Sequence, residues 1–246
     1  MKTPRIFVQD KEVCGREVVF SEKNSLYLKK VLRLKAGNEV TAFDGTSQHQ
    51  VKLTSFGRDS VCGLILNSDT AQGEHVNIIL AFACLRPGPM QEILRHCTEL
   101  GVSVFVPLLT VRANRRPHEK KERWESTVAG ASAQCGRVTV PRVLAPTSLS
   151  EFLRDLEPDQ VLLLLSRAGR AVPMWEALKG GLHDGIVILV GPEGGLEDAE
   201  EAQAVDSGFL HVSLGPRVLR AETAAIVAAG VIALSSDRAE LGAQRE

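Results

Sequence analysis

The chain has 246 residues, 44% hydrophobic and 24% charged, with a formal net charge of −1 at neutral pH. That is ordinary globular usage, long enough for one large or two ordinary domains with a buried core, and it argues against a disordered chain. No apolar run reaches the ~18 residues of a spanning helix, and no apolar signal core follows Lys2, so a cytoplasmic protein without a membrane partner is expected.

In chain order, residues 6–8, 18–20, 40–43, 50–54 and 61–66 read as short strands with turn residues between them, which predicts a small β-barrel. Residues 25–34 interrupt the pattern with helical spacing, placing Leu28, Val31 and Leu32 on one side and Lys29, Lys30 and Arg33 toward solvent. Residues 67–74 are polar and small between two apolar runs, so the chain is divided into domains at 1–72 and 73–246.

Beyond the linker, strands and helices alternate. Strands are predicted over 76–83, 102–108, 161–165, 186–190 and 209–214, and helical patterns over 90–100, 119–133, 149–156, 174–178 and 197–207. Such order predicts an α/β domain, with a mainly parallel sheet covered by helices on both faces. The last pattern, 221–234, is rich in Ala and Gly and carries Glu222 as its sole charge. Burial almost all round, part of it against a second subunit, would meet its demands.

Charge is unevenly spread. Residues 1–142 hold 21 Lys/Arg and 14 Asp/Glu, a net of +7, while residues 143–246 hold 8 and 16, a net of −8. A basic front half can meet a phosphate backbone while an acidic rear half houses a small cation. Cys14, Cys62, Cys84, Cys97 and Cys135 form no Cys-x-x-Cys, and the six histidines are equally scattered. Reduced thiols are expected, and no metal.

Two strand-to-loop-to-helix turns carry the chemistry. Gly-Pro-Glu-Gly-Gly occupies 191–195, and Leu-Gly-Pro-Arg-Val-Leu-Arg-Ala-Glu-Thr-Ala-Ala occupies 214–225. Glycine lets backbone approach a ligand closely, so two such turns can grip a small polar molecule through main-chain groups. Arg217, Arg220 and Glu222 crowd into an otherwise apolar second turn, where charge is costly unless paired or used. Neither turn matches the phosphate-binding Gly-x-x-x-x-Gly-Lys-Ser/Thr or the dinucleotide Gly-x-Gly-x-x-Gly.

These two motifs resemble the cofactor loops of the RsmE family, 16S ribosomal RNA uracil-N3 methyltransferases of the SPOUT class. The likeness covers nearly the whole chain: Arg5-Ile6-Phe7-Val8, Val31 to Gly37 with Phe43-Asp44-Gly45, Thr98 to Val102, Pro107-Leu108-Leu109, and Gln134-Cys135-Gly136-Arg137 before Pro141. It implies an N-terminal PUA-like RNA-binding β-barrel, a SPOUT domain with a C-terminal trefoil knot, and a homodimer acting on the assembled small subunit. It also implies S-adenosyl-L-methionine as cofactor, held by Leu165, Val190, Gly191, Gly195, Ser213, Leu214, Gly215, Val218, Leu219 and Ala221.

Arg220 is the residue implied beside the reacting uracil, where its guanidinium could hold O2 or O4 as N3 loses its proton. Glu222 either orients Arg220 or serves as the base. Arg5, Lys29, Arg33, Arg112 and Arg137 are the RNA-facing candidates. The chain departs from the family pattern at residues 86–89 and at His96, Ala113 and Gly130, departures that bear on RNA contacts rather than on fold or cofactor. Two other readings are a non-catalytic RNA-binding assembly factor and a SPOUT enzyme modifying transfer RNA. The intact second loop argues against the former, and the N-terminal barrel with Arg-Ala-Glu-Thr against the latter.

Overall fold

Period-two alternation builds the first sheet of the computed structural model, which describes residues 3–71, 76–113, 121–166, 169, 171–180 and 185–243. Its strands are β1 (Arg5–Phe7), β2 (Val13–Cys14), β3 (Glu17–Phe20), β4 (Glu39–Phe43), β5 (Ser47–Phe56) and β6 (Val61–Thr70), in the order β1-β4-β5-β6-β3-β2. Apart from the parallel β1–β4 pair, the pairings are antiparallel. Val18, Phe20, Val40, Ala42, Val51, Leu53 and Val61 point into one core with Ile6, Val8, Leu28 and Ile65, while their neighbours on β3 and β5 are largely exposed, as expected of strands with one buried face. Gly63 lets β5 and β6 close up, because a Cβ there would collide with the Val51 side chain.

A short helix, α1 (Glu22–Leu26), runs into a π turn at Tyr27–Val31, whose widened ring is closed by Leu32 N–H donating to Tyr27 O at 3.0 Å. That turn corrects the helical reading of this stretch. Adding a residue to the turn keeps Leu28 buried and Leu32 half-buried but swings Val31 outward, leaving it 63% exposed. The turn ends at Arg33 in the left-handed region, φ 53°.

The second sheet contains β7 (Ile78–Ala83), β8 (Val102–Leu109), β9 (Arg142–Val143), β10 (Thr147–Ser148), β11 (Val161–Leu165), β12 (Val172–Pro173), β13 (Ile186–Val190) and β14 (Leu210–Ser213). Its order is β10-β8-β7-β13-β11-β14-β12 with β9 beside β8, and every pairing is parallel. All five residues of β13 are buried, which explains an unbroken aliphatic run where a one-sided strand would alternate.

The helices are α2 (Pro87–Glu99), α3 (Lys121–Cys135), α4 (Leu149–Arg154), α5 (Met174–Ala177), α6 (Asp198–Asp206) and α7 (Ala221–Ala243). Helix α7 runs past the predicted residue 234 and packs on α2, β7 and β13. Ala225, Ala228, Ala229 and Ile232 are buried, yet Val227 and Leu234 are 39% and 69% exposed. Burial all round is thus not achieved within one chain: the small residues pack inward against α2 and the sheet, while Val227 and Leu234 face outward.

Contacts divide the chain into residues 1–73 with 129–140 and residues 74–128 with 141–246. The expected boundary at 72/73 lies outside the described residues, as do the first two residues of the helical pattern predicted from 119. The five cysteines are free. Burial pushes the Cys84 thiol up to about 11 and raises Cys97 as well. Among the described residues, no helix is long and apolar enough to cross a membrane.

Candidate functional site

Parallel pairing sets the carboxyl ends of three strands side by side, because β11 has β13 on one edge and β14 on the other. The chain leaving each strand covers the same end of the sheet, at Leu165 and Ser166, at 191–196 and at 214–220. Open parallel sheets bind ligands at such crevices. Here the crevice is a cleft of ≈ 270 Å³. Leu165, Val190, Gly191, Gly195, Ser213, Leu214, Gly215, Val218, Leu219 and Ala221 all line it, so the structure brings together the ten positions singled out in sequence.

The first loop depends on two glycines for different reasons. A Cβ on Gly191 would lie 3.1 Å from Leu196 N and 3.3 Å from Leu196 Cγ, tighter than ordinary packing permits. Gly195 has open space but a φ of +74°, a conformation that β-branched residues avoid. Its N–H donates to Pro192 O at 2.8 Å, closing a tight turn. In the second loop, Ser213 Oγ accepts from Gly215 N–H at 3.1 Å.

Glu193, Glu201 and Arg217 bring charge to the lining. Glu201 Oε1 accepts from Ser166 Oγ at 3.3 Å and lies 3.2 Å from Nδ1 of the buried His211. A half-buried carboxylate on one wall gives the cleft an attraction for cations. The acids at the start of α6 suit a first helical turn, where negative charge meets the positive end of the helix dipole. The structure separates two of them: Glu200 turns back to cap the helix through Glu197 N–H, while Glu201 reaches the cleft. Nothing in four closely spaced acids announces that division, and Ser166 carried no signal beyond following a strand.

Arg220 and Glu222 flank Ala221, but neither is among the lining residues. The Arg220 side chain is 82% exposed, with Nη1 3.9 Å from Oε1 of Glu222, whose side chain is 8% exposed. Oε2 of Glu222 finds no hydrogen-bond partner among the described residues. The pair therefore joins an exposed cation to a buried anion at the lip of the cleft.

The five basic candidates do not form one surface of free cations. Arg5 lies 5.1 Å over the Phe43 ring and donates to Gln48 Oε1 and Arg137 O, and its partial burial lowers its pKa. Lys29 Nζ donates to Gly57 O at 2.6 Å and Arg58 O at 3.1 Å. Arg137 reaches Thr139 Oγ1 at 3.3 Å. Arg112 donates to Gly194 O and Leu196 O in the first loop. Arg33 stands exposed at the end of the π turn.

A family model described as an RNA methyltransferase domain matches residues 72–233. The chain is 34% identical over 229 residues to ribosomal RNA small subunit methyltransferase E of Synechocystis, covering 91% of this chain and 75% of that protein. Its counterpart of the same name in Bacillus subtilis is 26% identical, with 84% and 86% covered. Among solved structures, ribosomal RNA small subunit methyltransferase E from Neisseria gonorrhoeae, bound to S-adenosyl methionine, superposes with a TM-score of 0.84 at 32% identity, covering 94% and 96% of the two chains. A putative methyltransferase from Legionella pneumophila, in complex with the same cofactor, gives a TM-score of 0.85 at 29% identity over 94% and 97%.

Proposed function

This chain belongs to the ribosomal RNA small subunit methyltransferase E family, and on that premise we propose that it methylates N3 of a uridine in 16S ribosomal RNA, using S-adenosylmethionine, on the assembled small subunit in the cytoplasm. The observation that carries the reading is the convergence of three strand ends and the loops that follow them, with all ten expected positions lining one cleft at the carboxyl ends of adjacent parallel strands. The residues present suit the cofactor: Gly191 and Gly195 shape a close-turning loop on one wall, a Cβ on the former crowding Leu196, and the Glu201 carboxylate on the lining would face a ligand that carries positive charge.

The cofactor supplies an electrophilic methyl group on a sulfonium. Transfer to N3 would leave a neutral thioether, S-adenosylhomocysteine, and the N3 proton would pass to solvent water, for which the exposed lip of the cleft leaves access. The two loops contribute alignment, and fixing reactants at attack distance can remove ~7–11 kcal/mol of barrier. Arg220, exposed at the lip, is the group that reaches uracil O2 or O4 and stabilises the charge appearing as N3 deprotonates. The burial of Glu222 argues for holding Arg220 rather than taking the proton itself. Because N3 lies on the Watson–Crick edge, the target base must be unpaired or drawn from its stack.

We read residues 1–72 as a PUA-like barrel that grips RNA and 73–246 as a SPOUT domain with a knotted C-terminal segment; the alternating strands of the first sheet and the all-parallel second sheet support this division. The exposed Val227 and Leu234 on α7 support a homodimer. The decisive test is nucleoside mass spectrometry of 16S RNA from cells lacking this protein. Loss of 3-methyluridine, restored by the wild-type gene, is the expected result; an unchanged 3-methyluridine level overturns the assignment.

A further inference from the structure

Arg112 follows β8 and turns onto the first loop. Its Nη1 donates to Gly194 O at 2.9 Å and Leu196 O at 3.2 Å, and its Nε lies 3.9 Å from Glu197 Oε1. The arginine stem lies alongside Gly194, where a Cβ would sit in ordinary contact with Arg112 Cδ at 3.5 Å. The opposite poles of the same two peptide groups are also held: Gly195 N–H donates to Pro192 O at 2.8 Å, and Glu197 N–H donates to Glu200 Oε2 at 2.9 Å. The other oxygen of the buried Glu200 carboxylate accepts Val111 N–H at 2.9 Å. Two consecutive residues, Val111 and Arg112, therefore bracket the stretch 194–200.

We infer that Arg112 is a positioning residue for the first loop, fixing the 194–195 and 196–197 peptide planes so that Gly195 stays in the left-handed conformation that completes the cleft. The inference rests on the cleft being the S-adenosylmethionine site. A planar guanidinium, with donors in fixed directions, can serve two carbonyls and face a carboxylate at once; a lysine ammonium is a single point with no such fork. A loop held in its binding conformation spares the ligand the cost of ordering it. Arg112 thereby acts on the cofactor side of the reaction, although its charge alone would suggest a phosphate contact.

The two roles separate cleanly. Losing a phosphate contact reduces the slope of log affinity against log salt by about 0.9 for duplex and about 0.7 for single-stranded nucleic acid, whereas losing a loop clamp weakens the cofactor and leaves that slope alone. The experiment titrates S-adenosylmethionine calorimetrically into wild type, Arg112→Ala and Arg112→Lys. It also measures the salt dependence of 16S RNA binding, and amide exchange across residues 191–200 by mass spectrometry. Expected are at least tenfold weaker cofactor binding in Arg112→Ala, partial recovery in Arg112→Lys, faster exchange at 194–197 and an unchanged RNA salt slope. Unchanged cofactor affinity and exchange, with a shallower RNA slope, overturn the inference and make Arg112 an RNA contact. A wild-type protein that binds no S-adenosylmethionine defeats the reading of the cleft instead, and the exchange rates then decide the clamp on their own.

Discussion

Gly195 illustrates how a single residue shapes the cleft without touching anything through a side chain. Its φ of +74° costs a β-branched residue of order 1–3 kcal/mol, and the loop can relieve that strain by leaving the left-handed region, which reshapes the backbone meant to grip the ligand. The surrounding space is open, so the damage comes from conformation rather than collision. Gly195→Val should weaken S-adenosylmethionine binding at least tenfold, equivalent to about 1.4 kcal/mol, while circular dichroism and melting report a folded protein. Calorimetry giving wild-type affinity would remove this loop from the binding site. That Gly191 and Gly195 line the cleft was legible less from the glycines, which after a buried strand often only reverse the chain, than from the charged second turn that follows them in sequence. The clamp by Arg112 was not, because a residue 82 positions before Gly194 declares its charge but not its carbonyl partner.

At the scale of elements, aliphatic runs and periods foretold most of the parallel sheet, since β13 occupies the expected 186–190 and is buried at every position. The π turn was invisible for a physical reason: its backbone ring takes in one more residue than an α-turn, and the composition of Tyr27–Val31 does not encode that choice. Helix α7 presents a similar gap. Its small residues predicted deep burial, and the structure supplies it on only one side, leaving Val227 and Leu234 outward. Covering these side chains with a second copy would remove apolar area from water at roughly 25 cal/mol per Å². Leu234→Glu should therefore convert a homodimer into monomer at micromolar concentration, because a carboxylate in an apolar interface lacks a partner. Sedimentation equilibrium showing the wild type to be monomeric, or the variant as dimeric as the wild type, would contradict an interface through this helix.

Across the whole molecule, the strongest sequence signal for RNA was the net +7 of residues 1–142 against the −8 of the remainder, but a charge count does not reveal which cations are occupied. Arg5 is spent on Phe43, Gln48 and Arg137 O, Lys29 on two carbonyls of its own sheet's turn, and Arg112 on the first loop. Arg33, exposed and with a left-handed backbone, is left as the best placed of the five for a phosphate. Arg33→Ala should raise the apparent KM for RNA and reduce the salt slope by about 0.7–0.9, leaving cofactor affinity and saturated turnover unchanged. Arg220→Ala should do the reverse, lowering kcat with little effect on the salt slope, because its contact strengthens as uracil acquires negative charge. Both variants need assembled small subunits as well as naked RNA, since folded RNA with its proteins presents a base differently from naked RNA. Wild-type single-turnover methylation by Arg220→Ala, at saturating cofactor and RNA, would make its pairing with Glu222 a structural feature of the α7 terminus and leave alignment by the two loops as the chain's principal contribution to the transfer.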